Sequence, residues 1–199
     1  MIQECKRIMK EELEICVRAK ESFNEVYKKM LNLGFHIQED FILKDIYMVP
    51  NDISISLENE NLIFSNYILI RETVGKRKVL ALKQKKINEK GEIINQKSIK
   101  CPIIDIDKTY EFIKALGYKK IFEITDHNIL MSNGKNEIYI QDVKGVGTYI
   151  EMEQNNLLLK NNNGNNIEEM KNTLNSYNLN IDDNDYFVRK AADVLKSIL

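Results

Sequence analysis

Ile140-Gln141-Asp142-Val143-Lys144-Gly145-Val146-Gly147-Thr148-Tyr149-Ile150-Glu151-Met152-Glu153 is the stretch whose reading decides the fold. Past Gly147 its residues alternate. Ile150 and Met152 take one face of a strand, and Tyr149, Glu151 and Glu153 take the other, because strand side chains repeat with a period of two. Lys144-Gly145 marks a turn. The stretch therefore reads as the end of a strand over 136–143, a tight connection, and a second strand over 147–153.

The same split recurs elsewhere. In Glu12 to Arg18, Leu13, Ile15 and Val17 oppose Glu12, Glu14, Cys16 and Arg18. In Tyr67 to Thr73, Ile68 and Ile70 oppose Leu69 and Arg71. In Val79 to Lys86, Leu80 and Leu82 oppose Lys83 and Lys85. Period-two segments near 11–18, 41–49, 67–74, 79–86, 93–101, 121–131, 136–143 and 147–153 give eight expected strands. One explanation is a sheet with a wet, charged face. The other is a barrel whose apolar face looks outward under helices and whose charged face lines a lumen. Carboxylates hold hard divalent cations, and Lys and Arg grip phosphate oxygens. A lumen with both suits a metal–polyphosphate ligand.

Helical spacing occurs over Ser22–Leu33, Asp105–Leu116, Ile167–Tyr177 and Asp185–Leu199, the last with Asp185 as its expected N-cap. Gly34 and Gly117 follow the first two as helix stops. Leu33-Gly34-Phe35 and Leu116-Gly117-Tyr118 suggest two weak halves, by duplication or by shared helix-stop chemistry. Asn133-Gly134 is the strongest hairpin signal, and Lys90-Gly91 is a further turn. The Asn-rich run over 154–166 reads as a mobile loop in a single domain spanning 1–199.

Composition bounds the partners. Of 199 residues 43% are hydrophobic, enough for one sizeable core. Lys plus Arg is 29 against 30 Asp plus Glu, a net charge of -1 that disfavours nucleic-acid binding driven by bulk charge. Lys76-Arg77-Lys78 and Lys83 to Lys86 read as a solvated hairpin tip, or as a local site for RNA or another anionic polymer. No apolar run approaches the ~18 residues of a membrane span, and Met1 to Lys10 has no signal-peptide core. Cys5, Cys16 and Cys101 are scattered, so neither a disulfide framework nor a zinc site is expected, and a cytoplasmic location fits.

The strand strings resemble the CYTH superfamily, the triphosphate tunnel metalloenzymes, over about residues 9 to 153. Glu12-Leu13-Glu14-Ile15-Cys16 resembles the family's Glu-x-Glu-x-Lys strand in its two acids. Lys44-Asp45-Ile46-Tyr47 looks like the cyclase-type Asp-x-Tyr strand, Leu69-Ile70-Arg71-Glu72 like the arginine strand and Leu80-Ala81-Leu82-Lys83 like the lysine strand. The opening stretch is similar to Asp-x-x-x-Gly-Leu-Gly-x-Phe-x-Glu-x-Glu. This resemblance implies an α+β fold, a closed eight-stranded antiparallel β-barrel with helices packed outside. It implies Mg²⁺ or Mn²⁺ held by Glu12, Glu14, Glu151 and Glu153, with Asp142 joining them or ordering the turn. Arg71 and Lys83 would be the catalytic, phosphate-side bases. The implied ligands are nucleoside triphosphate, thiamine triphosphate or inorganic polyphosphate, without a membrane partner, and a homodimer is among the assemblies it allows. The implied reaction is adenylyl cyclase-like or triphosphatase-like. In the first, a ribose 3′-hydroxyl attacks the α-phosphorus; in the second, water attacks the terminal phosphorus.

Three departures bear on activity. Cys16 stands where the family has Lys. Asp126 and Asn128 stand where it has a Lys-x-Arg pair. Gln96 to Lys100 lacks its Arg and acids. A lost oxyanion donor costs ~10²–10³ in rate. A lumen-facing Asp126 at ~4 Å from another negative charge would cost about 4 kcal/mol at an effective dielectric of ~20. Arg18, Lys85 and Lys100 are the expected substrate-binding replacements, read either as a rebuilt phosphate site or as rim charges. The alternative function is a non-catalytic phosphate-ligand or interaction module.

Overall fold

Two fifteen-residue strands form the spine of the sheet: β2 (His36–Pro50) and β6 (Tyr118–Ser132), paired antiparallel from Pro50↔Tyr118 to His36↔Ser132. The computed structural model describes residues 14–87, 93–153 and 166–199. Each spine strand is led in by a short helix. α1 (Phe23–Asn32) starts at a capping box, in which the Ser22 N–H donates to Glu25 Oε2 at 2.9 Å. α3 (Ile106–Ala115) starts at Asp105, whose carboxylate accepts from the Lys108 N–H at 3.0 Å. Each ends at a glycine of positive φ, Gly34 at 82° and Gly117 at 89°, which turns the chain sharply into the strand.

Outward from the spine run β3 (Asn66–Thr73), β4 (Arg77–Ile87) and β5 (Ile93–Pro102) on one side. On the other run β7 (Glu137–Val143), β8 (Gly147–Glu153) and β1 (Glu14–Arg18). The order is β1-β8-β7-β6-β2-β3-β4-β5, antiparallel throughout. Exchanging β1-α1-β2-β3-β4 with β5-α3-β6-β7-β8 leaves this pairing scheme unchanged, so the two halves suggested by the helix stops have the same topology.

The α+β class and the eight strands agree with expectation; the closed barrel does not. The sheet is a curled half-barrel, and among the described residues its two end strands, β1 and β5, do not pair with each other. The backbone explains the correction. The free edge of β1 is taken by the segment 186–188: the Cys16 N–H donates to the Tyr186 carbonyl at 2.9 Å, and the Val188 N–H donates to the Cys16 carbonyl at 3.0 Å. That bonding also corrects the last helix. Asp185 accepts from the Phe187 N–H at 2.8 Å in a local turn, and α5 (Lys190–Ile198) begins only after the strap ends. Helix α2 (Glu60–Ser65) was not expected from the pattern; α4 (Asn166–Ser176) was. The Lys90-Gly91 turn and the Asn-rich run over 154–165 lie outside the described residues.

The outer face of the sheet is the apolar one. Ile15, Val17, Ile138, Ile140, Ile150 and Met152 pack with Val26 and Met30 of α1 and Met170 and Leu174 of α4. Met48 and Ile70 pack with Ile113 of α3. Each such fully buried side chain contributes roughly 1.5–3 kcal/mol. The concave face is apolar at one end, where Tyr47, Tyr67 and Phe122 meet Phe64 of α2 and Ala192 and Leu195 of α5. The rest is charged. Among the described residues no helix is long and apolar enough to cross a membrane.

Candidate functional site: a cavity with an acidic and a basic wall

A cavity of about 280 Å³ occupies the charged part of the concave face. Glu14 of β1 and Glu151 and Glu153 of β8 form one wall. Lys83 and Lys85 of β4 and Lys100 of β5 form the facing wall, with Arg77 beside them. Tyr67, Leu69 and Phe64 line it on the apolar side. The alternation places these groups: Glu151 and Glu153 point inward because Ile150 and Met152 are buried at 0% and 1% exposure in the outer core.

Pairing of β1 with β8 forces acids together. Glu14 and Glu153 are direct register partners, as are Cys16 and Glu151. Carboxylate oxygens of Glu14, Glu151 and Glu153 all lie within 4.8 Å of one another. Like charges opposite each other on a sheet are destabilising. The Glu151 carboxyl is pushed up to about 7, first by burial and then by Glu14, with Lys190 pulling the other way. Gln141 donates to Glu151 Oε2 at 3.2 Å. Three converging carboxylates form a donor set suited to a hard divalent cation.

The cations of the cavity have resident partners. Lys85 Nζ lies 3.9 Å from Glu14 Oε1, and burial lowers its pKa despite that acid. Arg71 is bound side-on, through the Nε–Nη2 edge of its fork. Nε donates to Asp45 Oδ1 at 2.7 Å and Nη2 donates to Asp45 Oδ2 at 2.6 Å. Burial opposes the charge on Arg71, but Asp45 outweighs it and raises the pKa. Asp126 is wholly buried, yet it meets a cation: Lys190, the first residue of α5, donates to Asp126 Oδ2 at 2.6 Å and to Gln141 Oε1 at 3.2 Å. Burial opposes this charge too, and Asp126 and Glu151 hold the pKa above the ordinary lysine range. The repulsion expected at Asp126 is thus answered from a helix.

The other expected residues are more dispersed. Glu12 lies outside the described residues. Asp142 is exposed, on the opposite face of β7 from Gln141, and pairs in register with His127. Arg18 donates to the Val146 carbonyl at 2.9 Å and approaches Asp193 at 3.9 Å, in a separate cleft of about 510 Å³ beside the strap. His127 bonds Asp40 at 2.7 Å away from the cavity. Burial, then Glu151, pushes the Cys16 thiol well up, so it is a poor nucleophile. Sequence reasoning missed Lys190, Gln141 and Arg77. Gln141 carried a signal, since its parity with Val143 and Tyr139 turns it inward; Lys190 carried none.

No family model and no curated protein matches the chain. Solved structures do. A Pyrococcus horikoshii OT3 protein is 20% identical over 94% of this chain and 99% of its own, with a TM-score of 0.66. A Vibrio parahaemolyticus protein provisionally assigned as an adenylate cyclase is 13% identical over 95% and 99%, with a TM-score of 0.64. A chain of the Schizosaccharomyces pombe Mediator head module is 8% identical over 86% and 98%, with a TM-score of 0.56. At these identities the likeness is one of fold, and that fold occurs both in a provisionally assigned cyclase and in a chain of a multiprotein assembly.

Proposed function

We propose that the cavity binds a phosphorylated anion together with Mg²⁺ or Mn²⁺, with Glu14, Glu151 and Glu153 on the cation side and Lys83, Lys85 and Lys100 on the phosphate side. The observation that carries this reading is the enclosure of a three-carboxylate cluster and a lysine wall in one cavity. A divalent cation would relieve the Glu14–Glu153 repulsion and neutralise phosphate charge. The lysines would orient the anion, and alignment with charge neutralisation is most of what such a reaction needs. A nucleoside triphosphate, thiamine triphosphate or inorganic polyphosphate fits this chemistry. The CYTH-like strand strings support a cyclase-like or triphosphatase-like reaction, and the fold is compatible with either.

A second reading, binding without turnover, is favoured by Arg71. The Nε–Nη2 edge of its guanidinium is committed to Asp45 and so withdrawn from a ligand. A screen of nucleoside triphosphates, thiamine triphosphate and tripolyphosphate with Mg²⁺ or Mn²⁺ separates the two. Release of pyrophosphate or phosphate, lost in Glu14→Gln, supports the enzyme; saturable metal-dependent binding without release supports the module. Neither binding nor release with any of them would overturn both.

A further inference from the structure

We propose that Lys190 is a ligand-contacting base of the cavity, held in place by Asp126 and Gln141. The inference rests on the reading of the cavity as an anion site. The inward residues of β6 and β7 near the cavity are Asp126, Asn128, Tyr139 and Gln141, none of them a cation. The sheet's own lysines therefore stand on the β4–β5 side alone. Lys190 supplies a positive charge over the wall that lacks one.

Three observations support a ligand role beyond packing. Lys190 lines the cavity, whereas Asp126, 0% exposed, lies behind it and does not. An ammonium has three donors, and two hydrogen bonds hold this one, to Asp126 and to Gln141. It also lines the same cavity as Glu151 of the carboxylate cluster and Arg71 of the arginine strand. An anion spanning from a cation at Glu151 toward β3 would share that cavity with this group. Asp126 and Gln141 then act as positioning residues. They fix a flexible side chain before the ligand arrives, which reduces the ordering cost of binding.

The placement depends on the strap. Only Arg189 separates Lys190 from 186–188, whose backbone is bonded to β1, so the strand that carries Glu14 also fixes the start of α5.

The test is calorimetric titration of the full chain with tripolyphosphate and Mg²⁺, beside a thermal melt of each variant. Lys190→Gln should weaken binding about 10- to 100-fold, the loss of one charge-assisted hydrogen bond. Lys190→Arg should restore most of it. A purely structural lysine would lower the melting temperature and leave the affinity unchanged. If Lys190→Gln fails to fold because Asp126 is left buried without a counter-charge, Lys190→Gln with Asp126→Asn replaces the ion pair by a neutral amide pair and carries the same expectation. A folded variant that binds as tightly as wild type overturns the role of Lys190 while leaving the anion site standing. Wild type that binds no tripolyphosphate with Mg²⁺ overturns both.

Discussion

Glu14 and Glu153 face each other as register partners across β1 and β8, two carboxylates set opposite one another by backbone pairing. The sheet cannot relieve this by a local shift. Moving β1 by one residue would turn Ile15 and Val17 out of the outer core. Relief has to come from protonation, from Lys85 and Lys190, or from a bound cation.

The first prediction concerns a cation. Mn²⁺ should raise the melting temperature of wild type, because a ligand that binds only the folded state stabilises it. Glu14→Gln with Glu153→Gln should abolish that rise while raising the metal-free melting temperature. A thermal melt with and without Mn²⁺ decides it; an undiminished metal response in the double variant removes the cluster from the account.

pH gives the second. Burial, then Glu14, pushes the Glu151 carboxyl up to about 7 in the folded protein, above its ordinary value of 4.5. Between those values the folded state holds a proton that the unfolded state has released, so stability falls as pH rises from about 4.5 to 7 and is level above. The span is on the order of 3 kcal/mol at most. In urea titrations Glu151→Gln should lose this slope and exceed wild type at pH 8. A wild-type curve that rises through this window for the same group would contradict the assignment.

Arg71 and Asp45 give the third. Asp45 is 1% exposed and its two oxygens accept from Arg71. Arg71→Met leaves a buried carboxylate without a counter-charge and should cost about 3–5 kcal/mol. For a chain of this size the melting temperature should drop roughly 6–20 °C. Arg71→Met with Asp45→Asn should recover much of the loss, measured in the same melts.

The strap supplies the fourth. Val188→Pro removes the N–H that donates to the Cys16 carbonyl. Hydrogen exchange at the Cys16 amide, bonded to Tyr186, should accelerate at least tenfold, and the freed β1 edge should promote aggregation. Unchanged protection at Cys16 would show that the strap does not guard this edge.

Much of the fold was legible because the strands are long and two-faced. The alternation of Ile150 and Met152 with Glu151 and Glu153 was enough to orient β8, and Ile15 with Val17 did the same for Glu14. The helix stops at Gly34 and Gly117 told that a strand follows each, but the strands read near 41–49 and 121–131 start earlier, at His36 and Tyr118. Barrel closure was not legible, because it depends on which backbone edges meet. The edge of β1 is met by 186–188, a segment whose side chains carry no strand alternation. Lys190 was hidden for the same reason: its neighbours Ala191, Ala192, Val194 and Leu195 mark an amphipathic helix, but nothing local tells which face of the sheet that helix covers. The position of Asp126 on the concave face could be read from parity; its partner could not.

The central claim is that the carboxylate cluster and the lysine wall hold one metal–anion ligand. It is tested most directly by titrating wild type and Glu14→Gln/Glu151→Gln with tripolyphosphate, with and without Mg²⁺. The account predicts saturable binding by wild type that requires Mg²⁺ and falls at least tenfold in the folded variant. No binding by wild type in Mg²⁺, or wild-type affinity in the folded variant, would contradict it.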